Sequence, residues 1–141
     1  MYGRGQEHFV FIPIFAAKLY DSLTRTRAIE CQCREIAADL ASRITHGRIL
    51  DVGSGPGRML SELRRLNANF ELYGLDISSA MVELARRKLS GLGIEIRLGS
   101  VRQTGFEDDF FDLVTCTGSF YLWDEPQECL DEIFRTLKPR Q

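Results

Sequence analysis

The segment Asp51-Val52-Gly53-Ser54-Gly55-Pro56-Gly57 joins two stretches of different periodicity. Before it, Arg48-Ile49-Leu50-Asp51-Val52 reads as a short strand. After it, residues 58–66 place Met59, Leu60, Leu63 and Leu66 on one side of a helix. Glycines between a strand and a helix permit positive φ, and they remove the Cβ that would hold a ligand away from the backbone. The helix start presents free amide groups to an anionic or carbonyl oxygen. A tight turn alone also accounts for a glycine triplet; the position after a buried strand is what points to a ligand.

The alternation continues on both sides. Residues 70–75 read as a second strand. Ser78 or Ser79 caps a helix running to about Leu89, which Gly91 ends. Ile94, Ile96 and Leu98 alternate with Glu95 and Arg97, the pattern of a strand with one buried face. Residues 111–116 read as a fourth strand. Asp124 caps a last helix with Pro126 in its first turn, an apolar face of Leu130, Ile133, Phe134 and Leu137, and a stop at Pro139. Upstream, Ile29, Cys33, Ile36, Leu40 and Ile44 form one stripe of a helix over 28–44, with Gly47 as its stop. Strands separated by helices pair in parallel through right-handed crossovers, so the expected class is α/β. The connection 99–110 lacks a helix signal. Its acidic cluster, Glu107-Asp108-Asp109, has no accompanying His and reads as a solvated loop.

The chain has 141 residues, 44% of them hydrophobic and 27% charged, which fits one domain with one core and excludes a disordered chain, a coiled coil, a collagen or a disulfide miniprotein. A net charge of -2 gives no global attraction to nucleic acid or to an anionic membrane. The apolar run over 9–20 contains Pro13 and Lys18 and is shorter than the roughly 20 residues of a membrane-spanning helix. Arg4 before it and Ala16-Ala17 near its end suggest a secretory signal, but no clean small-x-small site follows, so it reads as a segment packing on the domain surface. Cys31, Cys33, Cys116 and Cys129 form no CxxC pair. Reduced thiols in a cytoplasm are expected, with no metal site. His8 and His46 stand alone.

Leu75-Asp76-Ile77 closes the second strand. A carboxylate there can accept two hydrogen bonds from ribose hydroxyls, or it can serve as a helix cap. With the glycine loop it reads as a nucleoside site. A dinucleotide loop is usually Gly-x-Gly-x-x-Gly. Here the third glycine comes one residue early, at Gly57, which disfavours a nucleotide-dependent oxidoreductase.

The spacing Gly53-x-Gly55-x-Gly57, preceded by Asp51, resembles motif I of the class I S-adenosylmethionine-dependent methyltransferases. Leu75-Asp76-Ile77-Ser78-Ser79-Ala80-Met81 is similar to that family's second strand end and helix start. Phe111-Asp112-Leu113-Val114 is similar to its fourth strand, Leu137-Lys138-Pro139 to the end of the next helix, and Phe15-Ala16-Ala17-Lys18-Leu19-Tyr20-Asp21 to its N-terminal aromatic segment. The likeness covers about the whole chain and is closest to the small-molecule branch. It implies a Rossmann-like parallel sheet of about four strands, order 3-2-1-4, with helices on both faces. Residues 1–46 would form a helical cap and 47–141 a core lacking the C-terminal strands.

The resemblance implies methyl transfer from S-adenosylmethionine to a small-molecule acceptor; the alternative is a noncatalytic cofactor-binding or partner-dependent fragment. By the same likeness, Gly53, Gly55 and Gly57 would line the methionine portion of the cofactor, and Asp51 would orient the loop or the cofactor's amino group. Asp76 would hold the ribose. Ile77 and Met81 would offer apolar contact to adenine, or serve as core. Val101 would present its backbone amide to the base, Thr117 would face the cofactor from the other side, and Tyr20 would close over the site. Ser100 stands where the family often has an acidic residue for the adenine amino group. Phe120, Tyr121 and Trp123 would line an acceptor pocket or stabilise a chain reversal. No catalytic base emerges. The family's sheet continues beyond the Lys-Pro turn, whereas this sequence ends at Gln141. The fourth strand is therefore expected at an open edge, with self-association through it.

Overall fold

The computed structural model describes residues 13–140. Arg4, His8, Gln141 and the start of the apolar run lie outside them. Helices α1 (Ile14–Thr24) and α2 (Arg27–Arg43) lead into β1 (Gly47–Val52), α3 (Arg58–Leu66), β2 (Phe70–Asp76), α4 (Ser79–Lys88) and β3 (Glu95–Leu98). Then follow β4 (Leu113–Thr115), a 3-10 turn (Phe120–Leu122) and α5 (Pro126–Thr136). The four strands are ordered β3-β2-β1-β4 and all pair in parallel, with Ile49 of β1 flanked by Leu72 of β2 and Leu113 of β4.

The period of two along β1 separates the two sides of the core. Ile49 packs with Leu60, Leu63, Phe70, Leu72, Ala85 and Ala37 of α2, whereas Leu50 and Val52 pack with Leu75, Phe106, Phe111 and Trp123. Caps fix the helix starts. Thr26 accepts the amide of Ile29, and Ser78 accepts that of Met81. Gly74 sits in mid-strand because a Cβ there would lie 2.7 Å from Ile96 Cδ1 and 2.9 Å from Leu60 Cδ1.

The structure departs from the sequence reading in three places. The fourth strand is shorter than 111–116. Phe111 pairs instead with the end of α5, its amide donating to Thr136 O and its carbonyl accepting from Lys138 N, so only Leu113–Thr115 joins β1. In α5 the N-cap is Glu125 rather than Asp124. Its fully buried residues are Cys129 and Thr136, while Leu130 and Phe134 face outward, Phe134 80% exposed, and line a groove with Gln127 and Asp131. The hydropathic stripe is thus rotated from the buried one, because Cys129, Ile133 and Leu137 contact the Phe111–Trp123 side of the core. Leu98 ends the edge strand β3 and is exposed, so the expected buried face does not extend to the strand's end.

Among the described residues, all four cysteines are free thiols, no cluster of His, Cys, Asp and Glu is arranged to hold a metal ion, and no helix is long and apolar enough to cross a membrane. His46 is exposed beside Thr45, and Asp108 of the acidic loop pairs with Arg135.

Candidate cofactor site

A cavity opens where all four strands end, the position parallel α/β sheets use for ligands. Its floor is Gly53 and Gly55 after β1, Leu75 and Asp76 at the end of β2, and Gly99 and Val101 after β3. Gly118 and Ser119 after β4 form one wall; Ile77, Met81, Tyr121, Leu122, Trp123 and Tyr20 complete it. Of the residues singled out for the cofactor, seven meet here, Tyr20, Gly53, Gly55, Asp76, Ile77, Met81 and Val101; of the three aromatics expected at an acceptor pocket, Tyr121 and Trp123 line the cavity and Phe120 does not. Asp51, Gly57, Ser100 and Thr117 do not line it. Asp51 is buried beneath, Gly57 starts α3, Ser100 accepts the amide of Arg102 in a local turn, and Thr117 is exposed. Sequence reasoning missed Leu75, Gly99, Gly118, Ser119 and Leu122, which lie within two residues of positions it named.

The three glycines of the loop do different work. All have positive φ, at 64° for Gly53, 52° for Gly55 and 86° for Gly57. A Cβ on Gly53 would lie 2.3 Å from Ser119 Cβ, and one on Gly57 would lie 2.5 Å from Leu89 Cδ1, so protein side chains already occupy those places. A Cβ on Gly55 would meet nothing within 4 Å. Gly55 therefore offers bare backbone to the cavity. The loop is tied to β2 by the amides of Gly53 and Ser54, both donating to Leu75 O.

Asp76 links loop and helix. Oδ2 accepts the Gly55 amide at 2.8 Å, and Oδ1 accepts the Ser78 amide at 2.9 Å. Each oxygen keeps a lone pair for a further donor. Burial pushes its pKa above the ordinary carboxylate value, against the lowering pull of the Ser78, Gly55 and Ile77 amides. Asp51 has a harsher setting. Burial drives its pKa up to about 7; a 2.8 Å bond from Thr115 Oγ1 opposes the shift, and the charge of Asp76 adds to it.

A model of the methyltransferase domain matches residues 50–141. The chain belongs to the class I S-adenosylmethionine-dependent methyltransferase family. It is 32% identical over 97 residues to an uncharacterized methyltransferase, YdaC, of Bacillus subtilis, covering 68% of this chain and 54% of that one. It is 32% identical over 127 residues to a demethylmenaquinone methyltransferase of Thermus thermophilus, covering 87% and 58%. A crystal structure of a proposed S-adenosyl-L-methionine-dependent methyltransferase from Methanococcus maripaludis superposes with a TM-score of 0.80 at 30% identity, over 89% of this chain and 59% of that one. This methyltransferase chain thus spans a little over half the length of the relatives it matches.

Proposed function

We propose that the chain binds S-adenosylmethionine in this cavity and directs its methyl group to a small-molecule acceptor. What carries the reading is the convergence of an uncrowded glycine backbone at Gly55, a half-buried carboxylate at Asp76 and an apolar lining of Ile77, Met81 and Val101 on one space at the strand ends. Bound there, the cofactor supplies an electrophilic methyl on a sulfonium, whose departure as a neutral thioether needs no protein acid.

The residues' tasks follow from their chemistry. Asp76 has one free lone pair on each oxygen and accepts the two vicinal hydroxyls of a ribose. Ile77 and Met81 give a flat base apolar contact, and Val101 presents its backbone beside them. Asp51, below the floor, has its pKa raised by burial to about 7, so it titrates near neutrality; a cationic group arriving above it draws it toward the ionised form. Tyr121 and Trp123 flank the open side and favour an acceptor with apolar surface. The work left to the protein is positioning and exclusion of water.

Calorimetry with S-adenosylhomocysteine and, separately, NAD tests the binding half. Heat with NAD and none with the homocysteine compound overturns it. Labelled methyl transfer to an acceptor panel tests catalysis. Gly55→Ala and Gly57→Ala divide the loop's roles. Gly57→Ala is expected to lose about 1–2 kcal/mol of stability through its left-handed φ and the Leu89 clash. Gly55→Ala should weaken S-adenosylhomocysteine binding about tenfold or more while losing less stability.

The second reading is a cofactor-binding chain that works with a partner. β4 is three residues long and lies at the sheet edge, and Leu130 and Phe134 of α5 face outward. An open strand edge of this kind can pair with a second copy, which is the route by which the chain would self-associate. Light scattering that shows a monomer at every concentration overturns it.

A further inference from the structure

Helix α1 carries Tyr20 to the cavity, yet its apolar hold on the core is small. Ala17 is fully buried against Ala80, Met81 and Leu84, with Ile14 beside it, while Phe15, Leu19 and Leu23 are exposed. Eleven residues are too few for a helix to persist alone in water, where roughly 12–15 are marginal. The position of Tyr20 therefore depends on what else fastens this helix.

The fastening is polar and centres on Asp21, which is 4% exposed. Its Oδ1 lies 2.7 Å from Arg58 Nη2, and its Oδ2 lies 2.5 Å from Lys88 Nζ and 3.3 Å from Arg25 Nη2. Arg58 also donates to Asp21 O, Thr24 O and Thr24 Oγ1 at 2.6, 3.1 and 2.7 Å, satisfying last-turn carbonyls that a helix end leaves without partners. Thr24 Oγ1 in turn donates to Tyr20 O at 2.7 Å. Arg58 is the first residue of α3, directly after Gly57, and Lys88 is the last of α4. One carboxylate thus joins the tyrosine's helix to the helices that follow the glycine loop and Asp76.

We propose that Asp21 and Arg58 are positioning residues that set Tyr20 over the cofactor cavity, coupling the helical cap to the glycine loop. Neither Asp21 nor Arg58 lines the cavity, whereas Tyr20 does, so the seam acts through the tyrosine it holds. The proposal rests on the reading of the cavity as the S-adenosylmethionine site. Burial opposes ionisation of Asp21, but the bonds from Lys88 and Arg58 hold its pKa below the ordinary value, so the seam stays charged at neutral pH.

The test is a double-variant cycle on the full chain, read by calorimetry with S-adenosylhomocysteine. Tyr20→Ala and Asp21→Asn are each expected to weaken binding about five- to tenfold. The combined variant should be no weaker than either, because both remove the same contact. Thr24→Val keeps every charge, removes the hydroxyl link to Tyr20 O, and should weaken binding two- to threefold. Hydrogen exchange without ligand should rise in α1 for Asp21→Asn and stay unchanged in β1 and β2. Additive losses in the cycle, or an Asp21→Asn isotherm equal to the parent's, overturn the proposal while leaving the cavity reading intact. No heat from the parent chain overturns the cavity reading and this proposal with it.

Discussion

Two aspartates are hidden from water among the described residues, Asp21 at the seam between α1 and the core and Asp51 under the candidate cofactor cavity, at 4% and 2% exposure. Their chemistry diverges. Asp21 lies among Arg58, Lys88 and Arg25 and is held ionised, whereas Asp51 has one hydroxyl bond and a like charge nearby, and its proton stays on up to about 7. Burial does not decide whether a carboxyl is charged; the neighbours do. The same residue type serves as a rivet in one place and as a titratable group in the other.

The contrast breaks most visibly in stability against pH. Folded Asp51 keeps its proton up to about 7, while the unfolded chain releases it near 3.8. The native state therefore binds more protons between these values. Stability is highest at the acidic end of that window and falls as pH rises through it, by on the order of 4 kcal/mol. Urea denaturation from pH 5 to 8 should show roughly the upper two-thirds of this fall, and Asp51→Asn should flatten it. A parent curve that rises with pH would put both aspartates in one class. Asp21 has the opposite sign: its contribution is present above about 3.8 and is lost only at lower pH. Asp21→Asn at pH 7 is expected to cost about 2 kcal/mol, less than a fully buried pair would, because Lys88 is partly solvated.

Smaller effects sharpen the comparison. Thr115→Val removes the hydroxyl that Asp51 accepts and should raise the carboxyl's titration midpoint further, at about 1 kcal/mol of stability at pH 8. Carbon-detected NMR of the Asp51 carboxyl follows the midpoint directly. Raising the salt to 1 M should weaken the Asp21 seam by a few tenths of a kcal/mol and leave the Asp51 midpoint nearly unmoved, since screening acts where ions approach.

Much of the architecture was legible because local signals agree. Around β1, the loop and α3, strand periodicity, glycine punctuation and helix periodicity all change at the same residues, and α3 spans 58–66 as read. Asp76 was legible for the same reason, standing where an apolar run stops. What escaped depends on remote chain. Nothing near Gly53 or Gly57 announces Ser119 and Leu89, the side chains that need the missing Cβ atoms. Nothing near Asp21 announces Arg58 and Lys88. Phe134 misled because hydropathy marks a face as apolar without saying whether another element lies against it.

Trp123 is the chain's single tryptophan, 7% exposed, tilted against Phe120 at 4.9 Å between ring centroids, and part of the cavity wall. The fold has thereby placed the one indole at the candidate cofactor pocket. A ligand that packs against that indole changes the polarity around it, so emission excited selectively at the indole, beyond tyrosine absorption, gives an optical titration of occupancy from the unlabelled chain.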